Sequence, residues 1–387
     1  MKVSQVYELL NTVTGEILGD SSIVKEDLSN VVDIGVQIFD ATSVDNYVRS
    51  LVDHIGKVVF VNRPYAGAAP SVLMDGWEFG AVMEKIQCDI PDATENESWS
   101  LENGESYDPN VFTGPVISAK FFQKRITFEV PMSFTEKQVK GSFSSADQLN
   151  SFMSMIYNAV DKSMTVKLDG LVMRTINSMI GETIHAEYGA ANLNSKSTIK
   201  AVNLLYEYNN GPNAGGSALT AAKAMTDPEF IRFAVRQMNI IRNRLSKLSD
   251  LYNVGGKARF TPTDLLKTVM LSDFKESADV YLQSDTFHDE YTRLAPADMV
   301  PYWQGSGTDY AFNSISKINV TTPSGDDVEA TGILAVMFDR DALGVANMDR
   351  RTTTNYNPKA EFYNNWFKYD AGYFADLNEN FVVFFVA

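Results

Sequence analysis

The run Phe381–Val386, "FVVFFV", most constrains what this 387-residue chain can fold into. It has six apolar residues in succession and no polar alternation. A strand with one wet face alternates, so this run predicts an inner strand covered on both faces. The segment before it reads as strand too, with seven aromatics between Phe362 and Phe374. On alternation Tyr363, Phe367, Tyr369, Ala371 and Tyr373 share one face, and Trp366, Lys368 and Asp370 share the other. "DLNEN", 376–380, reads as the turn from which the apolar run comes back.

Other elements follow from periodicity. Residues 43–55 predict an amphipathic helix, with Val44, Val48, Leu51 and Ile55 on one face and a strand after it at 57–62. From Trp77 to Val130 the pattern reads as two long strands joined by a polar excursion, and Ile126, Phe128 and Val130 alternate with Arg125, Thr127 and Glu129. The longest periodic segment, about 145–180, steps through Leu149, Met153, Ile156, Val160, Met164, Leu168, Leu171, Thr175 and Met179. It predicts a helix of roughly 50 Å, with Ser145 and Gln148 as a capping box and a kink or break at Gly170. A second helix starts at "TDPEF", 226–230, capped by Thr226 or Asp227, with Ile231, Val235, Met238, Ile241, Leu245 and Leu248 buried. Strands at 265–272 and 332–339 and a short helix at 273–283 complete an α+β chain.

Composition excludes several functions. A net charge of −16 argues against wrapping nucleic acid, which needs clustered Lys and Arg. No segment is apolar for the roughly 20 residues that span a bilayer, and the N-terminus lacks the pattern of a signal peptide. The lone cysteine, Cys88, permits no internal disulfide and reads as a buried, inert strand residue. His54, His185 and His288 are scattered and match no ligand spacing. The glycine-rich 209–217 lacks the Lys-Ser/Thr of a phosphate loop, and no nucleophile elbow is present. The expectation is a non-catalytic protein without cofactor or metal.

The polar excursion is the segment most in need of a partner. Between residues 89 and 108 it holds seven acids and no Lys or Arg. Such a loop builds no core of its own, so it hangs in water or docks on another molecule. Its candidate contact residues are Asp92, Glu95, Glu97, Trp99, Glu102 and Glu105. Small basic groups at Lys120, Lys124 and Arg125, at Arg242, Arg244 and Lys247, and at Arg350 and Arg351 admit two readings. They are solvated faces with weak ion pairs, or they receive the acidic loop of a neighbouring copy.

The order of elements, and above all "NYVRSLVDHIGKVVFVNRP" (46–64), "SFMSMIYNAVDKSM" (151–164) and "GILAVMFDRDALGVANMDRRTTTNYNPKAEFYNNWFKYDAGYFADLNENFVVFFV" (332–386), resembles the major capsid proteins of tailed bacteriophages, the Hong Kong 97-type fold. Within that family the chain most resembles head proteins of small short-tailed phages of Gram-positive hosts. The resemblance implies an α+β chain with an N-terminal arm (1–55), an extended hairpin-loop region (56–140), a spine helix of a peripheral domain (141–194), an axial α/β domain (195–345) and C-terminal strands of the peripheral domain (346–387). It implies a shell of pentamers and hexamers around double-stranded DNA, with the hairpin laid over an adjacent subunit and DNA contacted weakly and without sequence specificity. It further implies a virion protein assembled in the host bacterial cytoplasm, with a portal. The first 40 residues show no highly charged helix, so a separate scaffolding protein is expected and maturation cleavage is not. No immunoglobulin-like extension follows the last strand, and no crosslinking positions match. An encapsulin-like nanocompartment shell, enclosing an enzyme, is the alternative of the same fold.

Overall fold

In the computed structural model the described residues are 68–74, 83–135 other than 92, 94, 97–100, 107 and 109, then 146–189, 196–283, 296–304, 309–323 and 325–387. The expected helix at 43–55, the strand at 57–62, Ser145, His54 and His288 lie outside them. In chain order the strands are β1 (Leu73–Met74), β2 (Met83–Cys88), β3 (Ile117–Phe122), β4 (Arg125–Thr135), β5 (Ala201–Asn203), β6 (Leu266–Leu271), β7 (Asp298–Val300), β8 (Ile318–Thr321), β9 (Asp327–Ala330), β10 (Ile333–Asp339), β11 (Leu343–Asn357), β12 (Phe362–Ala375) and β13 (Phe381–Phe385). The longer helices are α1 (Ala146–Tyr188), α2 (Pro228–Leu245) and α3 (Ser272–Gln283). The described residues form two units. One holds 68–74, 125–135, 146–175 and 345–373, and the other holds 83–124, 176–344 and 374–387.

The first unit is a sheet in the order β1-β11-β12-β4. β12 and β4 run antiparallel, with Tyr363 opposite Phe134, Phe367 opposite Val130, Tyr369 opposite Phe128 and Ala371 opposite Ile126. The expected alternation holds up to Tyr369: Tyr363, Phe367, Tyr369 and Ala371 are buried, as are Val160, Met164, Leu168 and Leu171 of α1, but Tyr373 is half-buried, and Asp370 and Phe374 of the other face are buried too. The Tyr369 hydroxyl donates to the Met164 carbonyl at 3.0 Å, which sets the aromatic face against the helix. On the opposite face of β12, Asp370 accepts from Arg351 at 2.8 Å and from the Thr127 hydroxyl at 2.5 Å.

The second unit is built on a sheet in the order β5-β13-β10-β6-β7. Every residue of β10 and β13 is buried, as a continuous apolar run demands. Trp303 pins α1 to this sheet: its indole N–H donates to the Ile333 carbonyl at 2.8 Å, and its carbonyl accepts from Asn177 at 2.7 Å. Gly332, at φ +87°, lets the chain enter β10, since a Cβ there would lie 2.0 Å from the Val386 carbonyl oxygen. α2 starts as expected, with the Asp227 carboxylate accepting from the Phe230 amide at 2.8 Å and Pro228 in its first turn.

Five expectations need correction. The apolar run is an inner strand, but it does not return to the sheet of the aromatic strand. β13 lies between β5 and β10, and the pairing is parallel to β5 and antiparallel to β10. The second long strand is two strands. β3 pairs with β2, and after Gln123 and Lys124 the chain leaves as β4 to pair with β12. α1 does not break at Gly170 and runs on to Tyr188. Gly170 is exposed, where one glycine costs about 1 kcal/mol, too little to break a helix packed along its length. Its end is set by Gly189 at φ +67°, whose N–H donates to the His185 carbonyl at 2.8 Å. Leu248 is 53% exposed because α2 has already ended at Leu245. Cys88 is exposed, not buried, for a reason that lies in the hairpin.

Candidate assembly site

The hairpin β2–β3 is a two-stranded sheet. Its register puts Met83 opposite Phe122, Glu84 opposite Phe121, Lys85 opposite Lys120, Ile86 opposite Ala119, Gln87 opposite Ser118 and Cys88 opposite Ile117. Paired residues share a face. Met83, Lys85, Gln87, Lys120 and Phe122 face inward and are half-buried or buried. Ile86, Cys88, Ile117, Ala119 and Phe121 face outward with Glu84, whereas Ser118, opposite Gln87, is on the inner face but exposed. The outward side is therefore largely apolar, with Ile86 66%, Ile117 63% and Phe121 58% exposed. Beyond the strands the loop carries Val111 and Phe112, the latter 92% exposed. An isolated two-stranded hairpin is marginal in water, and an apolar face on one is a surface awaiting cover.

The inward face is held by charge. Lys85 Nζ lies 3.1 Å from Asp376 Oδ2 and 2.6 Å from Glu379 Oε1, and Lys120 Nζ lies 2.7 Å from Asp376 Oδ1. Gln87 donates to Glu379 Oε1 at 2.9 Å and accepts from Arg259, which also reaches Glu379 at 3.4 Å. Asp89 pairs with Lys257 at 2.9 Å. The Phe122 and Phe374 rings add an apolar contact at 5.2 Å. Burial pushes the Asp376 carboxyl up, but the Lys120 hydrogen bond, the Asn378 amide and the charges of Lys85 and Lys120 outweigh it and hold its pKa below the usual carboxylate range.

The expected contact residues divide accordingly. Glu95, Glu102 and Glu105 are exposed on the loop, while Asp92, Glu97 and Trp99 lie outside the described residues. Lys120 is bound within the chain to Asp376. Arg351 is bound to Asp370 at 2.8 Å and Asp349 at 3.1 Å. Arg350 is half-buried, 5.9 Å above the Tyr369 ring, and burial pushes its pKa down. Lys124 and Arg125 are exposed at the step between β3 and β4. The outward apolar residues and the inward partners Lys85, Gln87, Lys257, Arg259, Asp376 and Glu379 were not singled out from the sequence. The period-2 pattern of "MEKIQC" does mark Ile86 and Cys88 as one face, but only the pairing shows that this face looks outward.

Among the described residues no group of three or more His, Cys, Asp or Glu is placed to hold a metal, and no helix is long and apolar enough to cross a membrane.

The fold is one seen before in solved structures. It is similar to a chain in the structure of head fiber and inner core protein gp22 of native bacteriophage P68, with a TM-score of 0.51 and 12% identity over 85% of this chain and 86% of that one. The capsid structure of Staphylococcus phage Andhra also matches, with a TM-score of 0.47 and 12% identity over 82% of this chain and 83% of that one. The architecture is α+β and Hong Kong 97-like. The model of the Phi29-like phage major capsid protein family matches residues 10–385, and the chain belongs to that family. No curated protein matches it by sequence. The protein is a structural component of the head shell of a tailed phage, self-assembling and located in the virion. A family of phage heads does not favour the nanocompartment alternative.

Proposed function

We propose that the β2–β3 hairpin with its loop is the element that docks on an adjacent copy and interlocks the shell. The observation that carries this is the outward apolar side, with Ile86, Ile117 and Phe121 each more than half exposed. Burying three such side chains is worth several kcal/mol per contact, at about 1.5–3 kcal/mol each, and a shell repeats it in every subunit. The exposed acids Glu95, Glu102 and Glu105 would set register against exposed cations of the neighbour, with Lys124 and Arg125 as the candidate receivers.

In this reading residues 1–55 are the arm, α1 is the spine helix, the β4–β11–β12 sheet belongs to the peripheral domain and the β13–β10–β6 sheet to the axial domain. The subunits close into pentamers and hexamers in the host bacterial cytoplasm around a separate scaffolding protein and a portal, and no catalysis is involved. The net charge of −16 keeps packaged DNA from adhering, so its contact is weak and without sequence specificity. The test is the double substitution Ile86→Ser with Phe121→Ser. Both side chains are exposed, so unfolding stability should change by no more than about 0.5 kcal/mol. The yield of closed shells, counted by microscopy, should fall at least tenfold. Shells in normal number would refute docking through this face.

A further inference from the structure

The hairpin contains a local conflict. Lys85 and Lys120 sit directly opposite each other on its inner face. Like charges opposite one another destabilise a strand pair. The conflict is resolved from outside the hairpin: each oxygen of the Asp376 carboxylate takes one of the two ammonium groups, and Glu379 takes Lys85 as well, at 2.6 Å. The Asp376 side chain is fully buried, and its Oδ1 also accepts from the Asn378 amide at 3.1 Å. A buried carboxylate is costly unless paired, and removing it takes the counter-charge from Lys120 opposite Lys85, which keeps only that of Glu379.

The turn that presents Asp376 is itself fixed. The Asp376 N–H donates to the Ala342 carbonyl at 2.6 Å, and the Gly255 N–H donates to the Leu377 carbonyl at 2.8 Å. A Cβ on Gly255 would lie 2.0 Å from Asn378 Oδ1, so the two loops meet without slack. One register step further along the hairpin, Glu379 takes Gln87 and Arg259. The hairpin is thus attached to this turn by directional, charge-assisted bonds beside the Phe122–Phe374 contact.

We propose that Asp376 is a positioning residue for assembly, an ionic clasp that fixes the angle of the hairpin on its own subunit by neutralising the Lys85–Lys120 pair. Glu379 is its second point. The inference rests on the reading of the hairpin as the docking element. Its physical part, that the carboxylate holds the hairpin, is measurable in the unassembled subunit, where that reading plays no role.

The experiment compares the full chain with Asp376→Asn, Glu379→Gln, and Asp376→Asn combined with Lys120→Gln. Hydrogen exchange is read separately in the hairpin (83–88 and 117–122) and in β13. Asp376→Asn is expected to speed exchange in the hairpin at least tenfold, to leave β13 unchanged and to reduce closed shells. Glu379→Gln should act in the same direction with smaller size. Lys120→Gln should restore both hairpin protection and shells, because it removes the opposed charge and gives the Asn amide an acceptor. Unchanged hairpin exchange in both single variants would overturn the clasp. So would acceleration of β13 together with the hairpin and no rescue by Lys120→Gln, the mark of a residue that merely supports its turn. Normal shells from a subunit whose hairpin exchanges fast would overturn the positioning role, whereas failure of the docking reading shows itself in the Ile86 and Phe121 variant.

Discussion

Deletion of residues 91–114 is expected to yield a folded, soluble subunit that forms no closed shells. The ends of the excised segment already meet, since the Asp89 N–H donates to the Val116 carbonyl at 2.9 Å. Asp89, Ile90, Pro115 and Val116 would then form a short hairpin connection, a length such strands tolerate. The described loop residues are exposed, so their loss removes no buried core. Shortening a loop slightly lowers its closure entropy, and unfolding stability should stay within about 1 kcal/mol of the parent. What is lost is the distal surface, including Phe112 and the exposed acids. Sedimentation of the assembly reaction checks the outcome, with subunits at the top of the gradient expected and sedimenting shells the contrary result.

Phe384→Ala is expected to destabilise the unassembled subunit by about 3–5 kcal/mol, the usual cost of truncating a fully buried aromatic. Phe384 is 0% exposed and lies in the strand between β5 and β10, opposite Val202 on one side and Ala335 on the other. The cavity would open in the middle of the sheet, where neighbours on both sides resist collapse. The same change at Phe121, 58% exposed, should cost no more than about 0.5 kcal/mol. Denaturant unfolding of both variants measures the contrast. Equal effects would mean that the last strand is not a buried inner strand of its sheet.

That contrast shows what sequence can reveal. "FVVFFV" was legible as an inner strand because a run without alternation has no wet face, and the Tyr363–Ala371 alternation was legible because period 2 is local. Which sheet received the last strand was not legible. Its partners, around Val202 and Val336, are distant in the chain, and nothing in an all-apolar strand distinguishes one apolar partner from another. The acidic loop was visible as a segment needing water or a partner. The hairpin's outward apolar side was hidden, because Ile86 and Phe121 look like core residues until their register and the position of the Lys85 face are known. Cys88 was misread for the same reason. Lys120 was read as a surface cation, and it is bound to Asp376 because a turn more than 250 residues away supplies its counter-charge. Gly170 suggested a break because local propensity was weighed without the packing that carries α1 through it.

The central claim is that this chain builds a shell and that its hairpin interlocks one copy with the next. Negative-stain microscopy of the full chain, alone and co-expressed with a candidate scaffolding protein, tests it most directly. Closed shells, or rings of five and six subunits, are the result this account predicts. A monomer under both conditions, at high protein concentration and low salt, would contradict it.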